Sequence, residues 1–351
     1  MGNKQLMRGN EAIAESAIRA GCRNYFAYPI TPQAELLQWM ATHMPEEDNG
    51  TFLQAESEIG AVNMVYGAAS TGERAMTSSS SPGISLKQEG ISYLAGSDLP
   101  AVIVNIMRGG PGLGNIQPAQ GDYFQATKGG GHGDYQLLTL APSTVPEAAQ
   151  LTYEAFDLAD EYRTPVMVLA DGMIGQMMEP VELPARKDLN ELPSKPWATS
   201  GAKNRKPNVI KSFALGGDKL KAMSEERFTK YRVIERKEVR YEEIGVEGPD
   251  ILVTAFGTVA RIVKSTIRLG QEEGINIGLF RPITLWPFPG DRIDELSGKV
   301  DTVLTVEMNS GQMVEDIRLS VSKNINTPFY GEMAGCVPTP KGILEEVKKH
   351  V

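Results

Sequence analysis

The sequence predicts an α/β protein: a mostly parallel sheet with helices on both faces, followed by a smaller α/β domain. Three observations carry this. Short apolar runs alternate with helix-period stretches from the first residues to about 170. The run Ala101-Val102-Ile103-Val104-Asn105-Ile106-Met107 has the apolar character of a buried parallel strand. The rhythm lapses between about 180 and 245 and resumes at Asp250-Ile251-Leu252-Val253-Thr254-Ala255-Phe256. The expected divisions are 1–185, a connector at 186–245, and 246–351.

Asn10 is suited to cap a helix running to Ala20, and Gly21 to stop it. A strand over 22–28 ends in Pro29-Ile30-Thr31-Pro32, a stiff turn that neither extends a strand nor enters a helix freely. Pro32 fits the first turn of the next helix, whose Leu36, Leu37, Met40 and Met44 form a core stripe. A strand at 52–55 then leads into a helix ending near Ala69. Ile59, Val62, Tyr66 and Ala69 share one of its faces, and Ala61, Val65 and Ala68 the next, so burial on most sides is expected. Two carboxylates, Glu56 and Glu58, open this helix. Its N-terminus favours their charge and burial opposes it. They are either plain helix-start acids, or one is an acid buried to exchange a proton with a cofactor.

A strand at 74–78 runs into Ser78-Ser79-Ser80-Ser81-Pro82-Gly83. Ligands gather at the carboxyl ends of strands in such sheets, so this turn is placed to line a site, although similar clusters are often simple loops. A helix to about Ala95 follows, and the strand at 101–107 ends at Arg108. Residues 109–134 are glycine-rich but match neither a Walker loop nor a dinucleotide fingerprint. They predict a loop around a short helical piece at 120–127. A strand at 137–140, a helix at 145–162 and a strand at 165–169 complete the first unit. Residues 186–240 carry 15 Lys/Arg against 7 Asp/Glu. They form a solvated connector, or a docking surface for an acidic partner or a phosphate-bearing ligand. Beyond it come a strand at 250–256, a helix to about 273, strands at 275–280 and 302–306, and a helix after Asn309. Glu307-Met308-Asn309-Ser310-Gly311-Gln312 is a capping turn or part of an interface.

With 351 residues, 41% hydrophobic and 23% charged, the composition is that of a soluble globular protein with room for two cores. A net charge of −9 argues against general nucleic-acid binding. No apolar run approaches the roughly 18 residues of a membrane span. The start, Met1-Gly2-Asn3-Lys4-Gln5-Leu6, has neither a signal core nor the Ser/Thr of a myristoylation motif. Two distant cysteines, Cys22 and Cys336, fit a reducing cytoplasm and cannot hold a four-cysteine iron–sulfur cluster. His43, His132 and His350 lack metal-ligand spacing, so no metal site is expected in this chain.

Five motifs in order resemble the alpha subunit of 2-oxoacid:ferredoxin oxidoreductases over nearly the whole chain. They are Gly9-Asn10-Glu11-Ala12-Ile13-Ala14, Tyr28-Pro29-Ile30-Thr31-Pro32, Gln54-Ala55-Glu56-Ser57-Glu58, Asn105-Ile106-Met107-Arg108-Gly109-Gly110-Pro111, and the serine turn continued by Ile84-Ser85-Leu86-Lys87-Gln88-Glu89-Gly90. That last stretch, with Gln117-Pro118-Ala119-Gln120-Gly121-Asp122-Tyr123, is most similar to the branch acting on 3-methyl-2-oxobutanoate (2-oxoisovalerate). The resemblance implies a thiamine diphosphate enzyme that decarboxylates a 2-oxoacid, reduces ferredoxin through iron–sulfur clusters and forms an acyl-CoA. It implies a pyrimidine-binding domain followed by a transketolase C-terminal-type domain. Glu58, preceding Ile-Gly-Ala, matches the family's glutamate on the aminopyrimidine, a proton-transfer role that Glu56 does not share. Pro29 falls with Glu58 on the cofactor side, and Thr31 and Arg108 contact the substrate. A guanidinium at a strand end suits a carboxylate, which it can bind through both oxygens. Read from the residues alone, Arg108 could equally pair with Asp122 or Asp134.

Thiamine enzymes hold magnesium and diphosphate with Gly-Asp-Gly and a later Asn. The nearest stretch here, Ala170-Asp171-Gly172, lacks the first Gly and the downstream Asn pair, and reads as an ordinary strand-end turn. The resemblance then implies half of a thiamine site. A beta subunit would hold the diphosphate, Mg and a cluster, with gamma and ferredoxin-like subunits completing the assembly. Two alternatives stand beside this: a 2-oxoglutarate homologue, and a non-catalytic scaffold that keeps the fold.

Overall fold

Two parallel sheets, each covered on both faces, organise the computed structural model, which describes residues 4–351. Residues 1–3, on which the expected absence of a signal core partly rests, lie outside the described residues. The first part of the chain runs β1 (Gln5–Arg8), α1 (Gly9–Arg19), β2 (Asn24–Ala27), α2 (Ala34–His43), β3 (Thr51–Gln54), α3 (Glu58–Ser70), β4 (Ala75–Ser79), α4 (Ser81–Gly96), β5 (Ala101–Met107), α5 (Tyr123–Thr127), β6 (Leu138–Leu140), α6 (Val145–Tyr162), β7 (Pro165–Asp171), α7 (Gly172–Gln176) and β8 (Met178–Val181). The remainder runs α8 (Gly217–Lys237), β9 (Tyr241–Ile244), β10 (Ile251–Thr254), α9 (Gly257–Glu272), β11 (Ile277–Pro282), β12 (Thr284–Trp286), α10 (Gly290–Ser297), β13 (Val303–Glu307), α11 (Met313–Ser320), β14 (Phe329–Gly331) and α12 (Pro340–Val347).

The seven-stranded sheet has the order β12-β6-β7-β5-β4-β2-β3 and is parallel except where β12 joins β6. Alternation along β5 shows its two faces. Val102, Val104 and Ile106 pack with α1, α2 and α6, whereas Ala101, Ile103 and Met107 pack with α3 and α4. The five-stranded sheet, β14-β13-β10-β11-β9, is parallel except for the β9 edge. Ile251 and Val253 face α9 and α12, and Leu252 faces α10 and α11. The expected α/β class is therefore what the chain adopts. Strands cross the expected divisions: β12 comes from beyond residue 246 yet completes the first sheet, and β9 comes from the connector yet edges the second.

Several local expectations change. The first helix starts at Gly9, with Arg8 at the cap position. Asn10 lies buried in the first turn because its amide reaches Pro32 O at 2.8 Å and Glu35 Oε2 at 2.9 Å. Pro32 precedes α2 rather than entering it. Leu36, Leu37, Met40 and Met44 are all buried as expected, each contributing roughly 1.5–3 kcal/mol through removal from water. The helix α3 is not buried on most sides. Ile59 and Met64 are exposed, as are Asn63 and Gly67, because β3 is the sheet edge and leaves that face uncovered in this chain.

The connector is mostly exposed, as its composition predicts, and ion pairs tie it down at several points. Lys187 pairs with Asp157, Lys195 with Asp160 at 2.5 Å, and Arg186 with Glu47 at 2.5 Å, strapping the segment to the first unit. It also contains the 21-residue α8, which buries Arg227, Tyr231 and Ile234. Among the described residues no helix is long and apolar enough to cross a membrane.

Candidate active site

The carboxyl ends of β2, β4 and β5 open on one side of the first sheet, where ligands collect in this architecture. Beyond β2, Pro29 and Thr31 are exposed. Beyond β3, Ser57 caps α3 by accepting from Gly60 N at 3.2 Å, and this cap places Glu58 on the buried side while Glu56 points to solvent. The two helix-start acids are thus separated by geometry. Glu58 is 6% exposed, and its carboxylate accepts no hydrogen bond among the described residues. A Cβ on Gly83 would run into Ser79 Oγ and lie 2.7 Å from Glu58 Oε1, so glycine is needed for α4 to pass this carboxylate.

The serine turn lines this space. Ser79 and Ser80 are fully buried with unpaired hydroxyls. Ser78 is occupied: Tyr25 OH lies 2.6 Å from it, and it donates to Gln33 Oε1 at 2.6 Å, which leaves Gln33 Nε2 without a partner. Ser81 Oγ donates to Asp122 Oδ2 at 2.6 Å and accepts from Arg108 N at 3.0 Å. Burial pushes the Asp122 carboxyl up, and hydrogen bonds from Ser81 and Asn105 oppose that.

Arg108 is buried at the end of β5. Its Nη1 donates to Thr31 O at 2.9 Å and its Nη2 to Leu113 O at 3.0 Å, while Nε has no partner. Neither Asp122 nor Asp134 pairs with it, which removes the simple ion-pair reading. The structure therefore brings Thr31 and Arg108 into direct contact. An arginine buried against carbonyls alone carries an uncompensated charge, which an anionic ligand would offset.

The second sheet closes over the loop that carries Gln120. This side chain donates to Phe256 O at 2.9 Å and accepts from Met308 N at 3.0 Å. The Glu307–Gln312 turn proves to be both cap and interface. Glu307 accepts from the N–H groups of Gln312, Met313 and Val314, and Asn309 donates to Gln120 O at 2.8 Å. Burial raises the Glu307 carboxyl, and these bonds partly lower it. Asp171 caps α7 through Met173 N and Ile174 N and also accepts from Thr258 at the start of α9. It is a strand-end cap, as read from sequence, with an added inter-sheet bond.

Sequence reading missed Lys87. It is fully buried on α4 and donates to Thr77 Oγ1 at 2.9 Å. Burial pulls its amine down to about 7, with Glu58 opposing the shift. The available signal was a lysine set among Ile84, Ile91 and Leu94 on the buried stripe of α4.

The architecture is an open, mostly parallel sheet with a buried carboxyl at a helix start and a second α/β unit closing beside it. Residues 15–244 match the family described as "Pyruvate flavodoxin/ferredoxin oxidoreductase, thiamine diP-bdg", and residues 249–343 match "Pyruvate:ferredoxin oxidoreductase core domain II". The chain belongs to the 2-oxoacid:ferredoxin oxidoreductase family. It is 48% identical to ketoisovalerate oxidoreductase subunit VorB of Methanothermobacter thermautotrophicus over 345 residues, covering 98% of this chain and 97% of that protein. It is 38% identical to 2-oxoglutarate synthase subunit KorA of Archaeoglobus fulgidus, covering 94% and 95%. Among solved structures it is similar to 2-oxoglutarate:ferredoxin oxidoreductase from Magnetococcus marinus with 2-oxoglutarate, coenzyme A and succinyl-CoA bound. The TM-score is 0.87 at 28% identity, over 99% of this chain and 65% of that one.

Proposed function

We propose that this chain is the alpha subunit of an enzyme that oxidatively decarboxylates 3-methyl-2-oxobutanoate to an acyl-CoA and carbon dioxide, with reduction of ferredoxin. The observation that carries the reading is the presence of two buried groups beyond the carboxyl ends of the first sheet's strands: the Glu58 carboxyl, which accepts no hydrogen bond among the described residues, and the Arg108 guanidinium, which meets carbonyls and no acid. Thiamine diphosphate, when bound, supplies a carbon nucleophile that also takes up the electrons released with carbon dioxide. Glu58 would hold and move a proton at the cofactor's pyrimidine nitrogen, with Pro29 beside it. Arg108, fixed by the Thr31 carbonyl, would orient the substrate carboxylate, and the Thr31 hydroxyl would meet the same substrate. The unpaired hydroxyls of Ser79 and Ser80 fit a polar ligand in the same space.

The pyrimidine-binding role belongs to the part of the chain at 1–185, joined by 186–245 to a transketolase C-terminal-like part at 246–351. A beta subunit would hold the diphosphate, Mg and a cluster, with gamma and ferredoxin-like subunits beside it in the cytoplasm. Greater identity to a ketoisovalerate subunit than to a 2-oxoglutarate subunit supports the branched-chain substrate. Turnover of the assembled complex on 3-methyl-2-oxobutanoate and on 2-oxoglutarate tests it. Higher kcat/KM on the branched acid is expected; preference for 2-oxoglutarate would overturn the substrate assignment.

A further inference from the structure

The glycine-rich loop at 129–133 and the basic connector have no part in the chemistry above, yet in the fold they line one cavity of about 470 Å³. Ser92 and Tyr93 of α4 line it as well. From Ser81, at the active-site end, α4 rises roughly 16 Å to Ser92. The cavity is therefore separate from the space around Glu58 and Arg108. The loop that lines it is pinned in place. A Cβ on Gly131 would stand 2.6 Å from the Gln88 carbonyl oxygen, so a residue without one lets the loop lie on α4. Ser92 Oγ donates to His132 O at 2.7 Å, and Gly131 N donates to Tyr135 OH at 3.0 Å. His132 is thereby held edge-on to Tyr93, with ring centroids 6.2 Å apart. Asp134 is exposed at the cavity and has no hydrogen bond or ion pair among the described residues.

The connector and α8 supply the remaining groups. Leu220, Ser224 and Arg227 fall at i, i+4 and i+7, on one face of α8. Arg227 is 7% exposed; its Nε donates to Ala95 O at 3.1 Å and its Nη2 to Gly96 O at 3.0 Å. Its Nη1 makes no hydrogen bond among the described residues. The Asp98 carboxylate stands 3.9 Å from Arg227 Nε and is held by Lys230 at 2.6 Å. The guanidinium thus keeps one nitrogen for an anion. Phe213, in a stretch without regular structure, lines the same cavity and is 65% exposed. Its ring presents an apolar face that this chain leaves bare.

We infer that this cavity binds a nucleotide whose base carries an exocyclic amino group. The rings of Tyr93, His132 and Phe213 offer stacking surface to a planar base, a contact that needs only its π-face. Asp134 is an acceptor without a partner, suited to N–H donors at the base edge. Arg227, with the Ser224 hydroxyl one turn before it, donates to a phosphate. The volume falls in the range of small-molecule sites. Charge decides the class of ligand. A simple anion would leave Asp134 opposed to it, and a simple cation would leave Arg227 opposed. An amino-bearing nucleotide has a donor edge at one end and an anion at the other, with a ring between.

The test is equilibrium dialysis of the assembled complex against AMP, GMP and IMP, for the wild type, Phe213→Ala and Asp134→Ala. Both side chains are exposed, so neither substitution opens the core. The better of AMP and GMP is expected to bind the wild type about tenfold more tightly than IMP, which lacks the amino group; which of the two it is names the base. Phe213→Ala is expected to weaken that nucleotide by about tenfold. Asp134→Ala is expected to abolish the preference over IMP and to leave IMP binding as it was. Nucleotide held elsewhere in the complex depends on neither side chain. Binding unchanged in both variants therefore overturns the proposal, as does a wild type that binds neither AMP nor GMP. Equal affinity of the wild type for IMP overturns the role of Asp134 at the base edge.

Discussion

Glu58 and Gly83 form one device. The carboxylate keeps its place because a backbone without a side chain passes beside it, within 2.7 Å of where a Cβ would stand. Gly83→Ala is predicted to displace the carboxylate and to cost about 1–3 kcal/mol of stability through overpacking, with a matching loss of turnover in the assembled complex. An alanine variant with wild-type thermal stability and turnover would show that the approach is not tight. Lys87 gives a second residue-scale prediction, this one about pH. Its folded pKa is lowered from 10.5 to about 7, so below 7 the amine is charged in both folded and unfolded states and the full cost of burial is borne. Between about 7 and 10.5 the unfolded chain binds more protons, so stability rises with pH. Lys87→Met lacks that rise. Its stability advantage should shrink across this window in denaturation curves, and an advantage constant with pH would contradict a buried ammonium.

At the scale of elements, β7, α7 and α9 meet at Asp171. One carboxylate caps α7 and accepts both the Thr258 N–H at 3.2 Å and its hydroxyl at 2.7 Å. Burial pushes this carboxyl up, and the four donors hold it down. Asp171→Ala removes the cap and strands the Thr258 donors, which predicts a loss of about 2–4 kcal/mol in denaturant unfolding. A change within about 0.5 kcal/mol, the usual span for surface positions, would contradict the bridge. Elements of this kind divide into those legible in the sequence and those that were not. The buried run of β5 and the Leu36–Met44 stripe declared themselves because local periodicity and burial agree there. Strands β9 and β12 did not, because each is a short edge piece whose partner lies far away in sequence. Helix α8 hid for another reason. Its buried residues Arg227, Tyr231 and Ile234 are few, and the prolines upstream make the whole stretch read as a linker. In the site, Glu58, Thr31 and Arg108 were accessible through motifs. Lys87 required knowing that α4 turns that stripe inward.

On the scale of the whole molecule, the chain leaves α3 and β3 partly bare at the edge of the seven-stranded sheet. Leu53, Ile59 and Met64 are exposed beside the candidate site. The Asp171 turn, the nearest match to a diphosphate-binding motif, is consumed by capping and by Thr258. Both features fit a site finished by another subunit. We propose that this chain contributes the pyrimidine side of a shared thiamine diphosphate site. The most direct measurement is the thiamine diphosphate content of the chain purified alone and with its co-purifying partners. Cofactor retained by the complex and not by the isolated chain is the predicted result. Stoichiometric, tight binding by the isolated chain would contradict the shared site.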